Sequence, residues 1–133
     1  MTETKGTYNA RSVVYVSGPY TTGDTAENVA RAIETAEILW KAGYAPIVPH
    51  LSFMWQMKFA HTWEEWIEMD KEILSKCDYI YRMPGDSKGA DIELAFAKEH
   101  GILEISTGRM CPTISFEECD RMLERMRSAG GKR

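Results

Sequence analysis

The sequence contains few of the residues from which disulfide frameworks and metal sites are built. It has only three cysteines, Cys77, Cys111 and Cys119, and no two of them stand in CxxC spacing. This argues against a disulfide framework and a zinc site, and it fits a reducing cytoplasm. The three histidines share no spacing typical of metal ligands. Because P-loop and GxGxxG patterns are also absent, we expect no metal and no cofactor.

Long apolar runs and an excess of positive charge are missing as well. No run reaches the roughly 18 residues that a membrane-spanning helix needs, and the polar segment before Ser12 has no signal-peptide pattern. The formal net charge is -4 and there is no basic stripe, so we expect neither a nucleic-acid polymer nor a membrane as partner. A small anionic ligand stays open, because backbone N–H groups at a helix start can bind phosphate.

The residues that are present fit one folded domain. The chain has 133 residues, of which 44% are hydrophobic and 27% charged, an ordinary globular composition. We expect a flexible arm over 1–11, a domain over 12–127 and a frayed tail over 128–133. Short apolar runs predict strands at 12–17, 45–48, 78–83 and 102–105. Capping signals and helical periodicity predict helices at 24–42, 62–75, 88–100 and 115–127, with 50–61 irregular.

This alternation of strands and helices predicts a parallel sheet with helices on both faces. The expected fold is a single-domain Rossmann-like or flavodoxin-like α/β sandwich with four or five strands. Ligands of such folds bind beyond the carboxyl ends of the strands. The segments 17–24, 49–61 and 84–90 should meet at that edge.

Two carboxylates fall on helix faces that should be buried. At about 100° per residue, Asp70 lies amid the apolar face of its helix, formed by Trp63, Trp66, Ile67, Met69, Ile73 and Leu74. Glu93 lies likewise among Ala90, Ile92, Leu94, Phe96 and Ala97. The first helix has no carboxylate in its expected inward stripe of Val29, Ala32, Ile33, Ala36, Leu39 and Trp40. Because burying an unpaired carboxylate is costly, the contrast favours acid/base or nucleophilic chemistry.

Ser87 and Gly89 begin the helix that carries Glu93. Ser87 can cap the helix and Gly89 can let a ligand approach the backbone, so free N–H groups there favour a phosphate. The alternative is a plain N-cap serine, with Glu93 paired to a buried partner.

Asp70 and Asp78 each allow two interpretations. Asp70 could donate a proton to a leaving group, or it could cap a loop N–H or pair with Arg82. Asp78, the first residue of the third predicted strand, could contact substrate or hydrogen-bond a neighbouring loop.

Ser17, Gly18 and Tyr20 directly follow the first strand. Gly18 permits close backbone approach and Tyr20 could face a ligand, but a tight turn with a surface tyrosine is the alternative. A cluster of aromatic side chains beside the end of the second strand could stack on a planar base or cover a core. These side chains are Phe53, Trp55, Phe59 and Trp63.

Three motifs together resemble the nucleoside 2-deoxyribosyltransferase superfamily. They are SGPY at 17–20, MDKEILSKCD at 69–78 and SKGADIE at 87–93. The resemblance spans residues 12–105 and is closest to the 2′-deoxynucleoside 5′-monophosphate N-glycosidase branch and related short bacterial and phage proteins. The first loop, PYTTGD, lacks the arginine of the mammalian hydrolases.

The resemblance implies a role for each matching residue. Glu93 matches the nucleophilic glutamate that attacks C1′, and Asp70 matches the aspartate that assists departure of the base. Asp78 matches an acidic position with a supporting role. Ser87 and Gly89 match contacts to the 5′-phosphate.

Gly18 and Tyr20 match the first-loop position that touches sugar and phosphate. The function implied is hydrolysis of the N-glycosidic bond of a (deoxy)ribonucleoside 5′-monophosphate, without a cofactor. The alternatives are base exchange by a nucleoside 2-deoxyribosyltransferase and a nucleotide-binding or sensing module without turnover. The resemblance also implies a homodimer or higher homo-oligomer with a shared active site, for which the helix at 115–127 is a candidate interface.

Overall fold

The chain forms an α/β fold around one parallel sheet. In the computed structural model, residues 10–105 and Arg121 are described. The strands are β1 (Val13–Ser17), β2 (Ala45–Ile47), β3 (Tyr79–Arg82) and β4 (Leu103–Glu104). The helices are α1 (Thr25–Lys41), α2 (Phe53–Lys58), α3 (Trp63–Leu74) and α4 (Lys88–Glu99), with a 3-10 turn at Pro49–Ser52. The expected helix at 115–127 lies outside the described residues except for Arg121, as do the tail and most of the arm.

The sheet has four parallel strands in the order β2-β1-β3-β4. This confirms the predicted Rossmann-like or flavodoxin-like fold class. The order matches the flavodoxin-like arrangement, in which the chain reverses direction along the sheet between β1 and β3 and leaves a ligand crevice at their carboxyl ends. None of the described helices is long and apolar enough to cross a membrane.

Three helices begin where a polar side chain caps their first turn. Asp24 and Ser87 accept a hydrogen bond from the backbone of α1 and α4, respectively. Thr62 and Glu65 form a full capping box at α3, with reciprocal bonds of 3.0 and 3.1 Å. Each cap is generally worth about 1 kcal/mol, and together they fix where the helices start relative to the strand ends.

The two faces of β1 pack against different helices. Val14 and Val16 lie in one apolar cluster with Leu39 of α1. Tyr15 points to the opposite face, in a second cluster with Leu74 of α3 and Ala97 of α4. Because alternate strand residues point to opposite faces, Ser17 shares the face of Tyr15, toward α3 and α4.

The buried stripe of α1 differs from the expected one. Ile33 and Trp40 are 47% and 50% exposed, so the prediction was wrong for these two side chains. The buried positions are Asn28, Ala32, Thr35, Ile38 and Leu39. Asn28 is buried because its side-chain amide donates to the carbonyls of Tyr20 and Thr22, at 2.9 and 2.8 Å. Apolar periodicity alone cannot predict which face of a helix is buried when a polar side chain such as that of Asn28 lies on the buried face.

Two further expectations were wrong. The segment 50–61, which was expected to be irregular, contains most of the 3-10 turn and all of α2, and these two elements follow each other directly along the chain. Of the apolar side chains on α3, only Leu74 is fully buried. Trp63 is 42% exposed, because this part of α3 borders a cavity instead of a packed core.

Candidate active site

A cavity of about 470 Å³ opens at the carboxyl edge of the sheet. Its walls come from the loop after β1, the 3-10 turn and α2, one face of α3, and the first turns of α4. The three segments that the sequence places at this edge therefore do meet there. The volume lies within the roughly 300–1,000 Å³ typical of small-molecule sites.

Glu93 lies at the inner end of this cavity and is only 6% exposed. Tyr15 Oη donates a 2.9 Å hydrogen bond to Glu93 Oε2. Ser17 Oγ donates a 2.7 Å hydrogen bond to Glu93 Oε1. Both oxygens of the carboxylate are thus held by hydroxyl groups from one face of β1, which fixes the orientation of the side chain.

Asp70 also lines the cavity, where its carboxyl group is close enough to Glu93 and Tyr15 for both to affect its pKa. Burial, together with the negative charge of Glu93, raises the pKa of Asp70 to about 8. Burial also raises the pKa of Glu93, but hydrogen bonds from Ser17, Tyr15 and Asp70 oppose this rise. Because a buried and a half-buried carboxyl group side by side cannot both ionise cheaply, the pair retains one proton near neutral pH, and the raised pKa of Asp70 favours that residue as its holder.

Arg82 organises the segment between β3 and α4. Its guanidinium donates to the carbonyls of Met83 and Gly85 and to Asp91 Oδ1, the last at 2.7 Å. Its charge also lowers the pKa of Glu93. The alternative in which Arg82 pairs with Asp70 was wrong, because Arg82 pairs with Asp91.

The first turn of α4 forms one wall of the cavity. Ser87 Oγ accepts a 3.0 Å hydrogen bond from the backbone N–H of Ala90, which confirms its capping position. Lys88 Nζ lies 5.3 Å from the centre of the Trp63 ring, so a positive charge stands beside the helix N-terminus. Ser87, Lys88 and Gly89 all line the cavity.

The two candidate glycines are packed more tightly than expected. A Cβ at Gly18 would lie 2.8 Å from Met83 Cβ. A Cβ at Gly89 would lie 3.3 Å from Ile67 Cδ1. Both glycines border the cavity, but their missing side chains also let neighbouring elements approach one another.

Several aromatic side chains line the cavity. Phe53, Tyr20 and Trp63 belong to its lining. Trp66 joins them, and its indole N–H donates to Gln56 Oε1. Trp55 and Phe59, which the sequence grouped with them, are 46% and 62% exposed and are absent from the lining.

Asp78 and Ser17 are the predicted substrate-binding residues that do not line the cavity. Asp78 lies at the other end of β3, where its carboxylate accepts a 2.8 Å hydrogen bond from Val13 N. This is the neighbouring-segment contact of its alternative interpretation, so we leave Asp78 out of the site. Ser17 is 1% exposed and reaches the cavity only through Glu93.

Sequence reasoning missed Tyr15, Arg82 and His50. Tyr15 stands two positions before Ser17, so strand alternation could have placed its hydroxyl on the same face. His50 directly follows Pro49, the first residue of the 3-10 turn, and is buried in the cavity wall. Nothing in the sequence indicates the three-way contact of Arg82, which depends on how the following loop folds back.

Comparison with known proteins gives a family but no activity. A family model described as "Domain of unknown function (DUF7768)" matches residues 12–106. No curated protein matches the chain. The matched segment begins just before β1 and ends just after β4, so it contains the whole sheet and the cavity. The chain therefore belongs to the DUF7768 family.

Proposed function

We propose that this protein hydrolyses the N-glycosidic bond of a nucleoside 5′-monophosphate, with Glu93 as nucleophile and Asp70 as proton donor. The observation that carries the proposal is the pair of carboxyl groups that line the cavity, Glu93 buried and Asp70 half-buried. One is oriented by two hydroxyl groups, and the other has a pKa raised to about 8. An oriented carboxylate beside a protonated carboxyl group is the combination that glycosidic bond cleavage uses.

In the first step, an oxygen of Glu93 forms a bond to C1′ while the bond from C1′ to the base nitrogen breaks. The electron pair of that bond goes to the base, and the proton of Asp70 neutralises it. In the second step, water attacks C1′ and the bond to Glu93 breaks. The water proton passes to Asp70, which restores both carboxyl groups and releases the sugar phosphate.

Tyr15 and Ser17 support both steps as positioning residues. Their hydroxyl groups hold Glu93 in one orientation and favour its ionised form. A nucleophile held in this way needs little rearrangement before it attacks.

The chemistry of the cavity walls supports one orientation of the proposed substrate. We place the phosphate at the first turn of α4, where backbone N–H groups, Ser87 and the charge of Lys88 attract an anion. We place the base against Trp66, whose ring offers stacking surface one turn before Asp70 on α3, because Trp63 lies beside Lys88 at the phosphate end. The homo-oligomer and the cytoplasmic location stay predictions.

Two alternatives share this binding geometry. A base-exchanging transferase would use the same first step and admit a second base instead of water. A sensing module would bind the nucleotide without turnover, although binding alone does not need two adjacent carboxyl groups that affect each other's pKa. We therefore rank hydrolysis first.

The test is chromatographic detection of free base after incubation with ribo- and deoxyribonucleoside 5′-monophosphates and the matching nucleosides. Glu93→Gln and Asp70→Asn should abolish or strongly reduce release. Glu68→Gln, an exposed change on the same helix as Asp70, is the matched control and should retain activity.

The outcomes separate the alternatives. Release from monophosphates alone, lost in Glu93→Gln, supports the hydrolase. Formation of a new nucleoside when a second base is added indicates the transferase. Tight binding of a nucleotide without release would overturn hydrolysis in favour of the sensing module.

A further inference from the structure

The side chain of Gln56 is a part of the cavity wall that the proposed chemistry does not use. Gln56 and Phe53 lie three positions apart on α2, so they share one face of this helix, and both line the cavity. Met54 and Met57 of the same helix are 73% and 69% exposed and do not belong to the lining. The side chain of Gln56 therefore extends from the cavity side of α2.

Two hydrogen bonds fix which way the amide of Gln56 is turned. Its Oε1 accepts one bond from the indole N–H of Trp66 and another, of 2.9 Å, from the backbone N–H of His61. Both of these groups are donors only, so the amide atom that meets them has to be the oxygen. A flipped amide would place its own NH₂ group against two donors and lose both bonds. The orientation of oxygen and nitrogen in this amide is therefore fixed.

These bonds use both lone pairs of the amide oxygen and leave the two hydrogens of the nitrogen unused. Gln56 and both of its partners, Trp66 and His61, line the cavity, so the amide lies in the cavity wall. Among the described residues, Nδ1 of His50 is the buried side-chain atom without a hydrogen-bond partner. Nε2 of Gln56 has no partner there either and is not buried, so it keeps surface that a ligand can reach.

In the proposed binding mode, the amide lies beside the ring on which the base is placed. Its oxygen meets the indole N–H at the edge of the Trp66 ring, whereas a stacked base covers the face of that ring. Asp70 follows Trp66 by one turn of α3, about 6 Å along the helix axis. Because the glycosidic nitrogen has to face Asp70 and Glu93, the opposite edge of the base faces Gln56. That edge carries the C4 substituent of a pyrimidine or the C6 substituent of a purine.

We propose that Gln56 selects the base of the substrate, with its Nε2 donating a hydrogen bond to a carbonyl oxygen at C4 of a pyrimidine or C6 of a purine. The inference rests on the proposed function, which makes a nucleoside monophosphate the occupant of the cavity. It names the substrate class as nucleotides of the keto bases uracil, thymine, guanine and hypoxanthine. Cytosine and adenine carry an amino group at this position, so a donor would meet a donor. The fixed orientation of the amide prevents it from turning to accept a bond from that amino group.

The experiment measures kcat/KM for two pairs of nucleoside 5′-monophosphates that differ in this substituent. The pairs are uridine against cytidine and inosine against adenosine monophosphate, each in its ribo and 2′-deoxy form. We expect the wild type to favour the keto member by roughly tenfold to a hundredfold, because the amino member exchanges a hydrogen bond for an unpaired donor.

The substitution Gln56→Glu changes only the free end of the amide. One carboxylate oxygen still accepts the bonds from Trp66 and His61, while the other oxygen puts an acceptor where the donor was. The preference should therefore reverse in favour of the amino member of each pair. Lys58→Gln, an exposed change on the same helix, alters the net charge by the same amount and should keep the wild-type preference.

The substitution Trp66→Phe tests the bond that fixes the amide. It keeps an aromatic face for the base but removes the indole N–H, so a flipped amide loses only the bond to His61. The keto preference should shrink in this variant, whereas a merely structural role of Gln56 would lower activity on both members of a pair alike. Gln56→Met, which has neither donor nor acceptor, should lose the preference and replaces Gln56→Glu if that variant does not fold.

The outcomes distinguish this inference from the proposed function. Release of base without a keto preference in the wild type, or a keto preference that persists in Gln56→Glu or Gln56→Met, would overturn the role of Gln56 and leave hydrolysis intact. If the wild type binds monophosphates without releasing base, hydrolysis is overturned, and the dissociation constants of the same pairs test Gln56. If no monophosphate binds, both the function and the role of Gln56 are overturned.

Discussion

The hydroxyl of Ser17, the last residue of β1, donates a 2.7 Å hydrogen bond to Oε1 of Glu93 in the second turn of α4. This bond favours the ionised form of the carboxyl group and so lowers its pKa against the effect of burial. The proposed nucleophile must be ionised to attack. The position of Ser17 at the end of β1 therefore helps to set the pH range in which the proposed reaction can run.

Replacing Ser17 should therefore change the pH profile as well as the rate. Ser17→Ala removes the hydrogen bond, so the pKa of Glu93 rises and the acid limb of kcat/KM moves to higher pH. We expect activity on the acid side of the optimum to fall by roughly tenfold, the worth of one hydrogen bond to a charged group. Ser75→Ala, an exposed change after α3, is the control. A uniform loss at every pH would indicate a merely structural role.

Replacing Asp70 should change how stability depends on pH. Its pKa is about 8 in the folded protein against 3.8 for the unperturbed group, so the folded state holds the proton more tightly. The free energy of unfolding should therefore fall as pH rises from about 4 to about 8, at up to about 1.4 kcal/mol per pH unit.

Asp70→Asn removes this titration, so its stability should vary less over the same range. Urea unfolding at pH 5, 7 and 9 measures the difference, with Glu68→Gln expected to behave as the wild type. Equal slopes in the wild type and Asp70→Asn would contradict the assigned pKa.

Replacing Arg82 should act on substrate binding. Arg82→Gln frees Gly85 and Asp91 from the guanidinium, so the segment that leads into α4 loses its fixed shape. We expect KM for a monophosphate to rise roughly tenfold, in line with the loss of a hydrogen-bonded ion pair, with a smaller fall in kcat. Arg82→Lys should restore little of the lost substrate binding, because the lysine ammonium cannot reproduce the planar set of donors on a guanidinium group. An unchanged KM would show that Arg82 does not support substrate binding.

Replacing the two glycines should have unequal effects on stability. Gly18→Ala forces its Cβ against Met83 Cβ, which is fixed to the backbone, and should cost about 1–3 kcal/mol. Gly89→Ala meets only the tip of Ile67, and a gain in helix propensity of about 1 kcal/mol offsets the contact. Thermal unfolding should thus show a clear loss for Gly18→Ala and little change for Gly89→Ala. The reverse order would show that these contacts do not decide stability.

Local signals predicted the features of this protein that depend on neighbouring residues. The strand after Ser12 and the helix starts at Asp24, Thr62 and Ser87 follow from short-range chemistry, and the structure has all of them. The inward positions of Asp70 and Glu93 follow from helical periodicity in the same way.

Features that depend on distant contacts were not predictable. The bond between Tyr15 and Glu93 joins residues 78 positions apart, so it depends on how α4 packs across β1. Asp78 was placed in the site by the family resemblance, but only the register of β1 and β3 shows that its carboxylate reaches Val13. Burial of Asn28 likewise depends on carbonyls in the loop before α1.

Because neighbouring side chains of β1 point to opposite faces of the sheet, directed evolution can change stability and the candidate site through different positions of one strand. Val14 faces α1 and does not line the cavity, so substitutions there can tune thermal tolerance without touching the two carboxyl groups of the candidate site. Tyr15 is among the largest fully buried side chains and also holds Glu93. A library that varies Tyr15 therefore selects for folding and for the proposed turnover at once, whereas one that varies Val14 selects for folding alone.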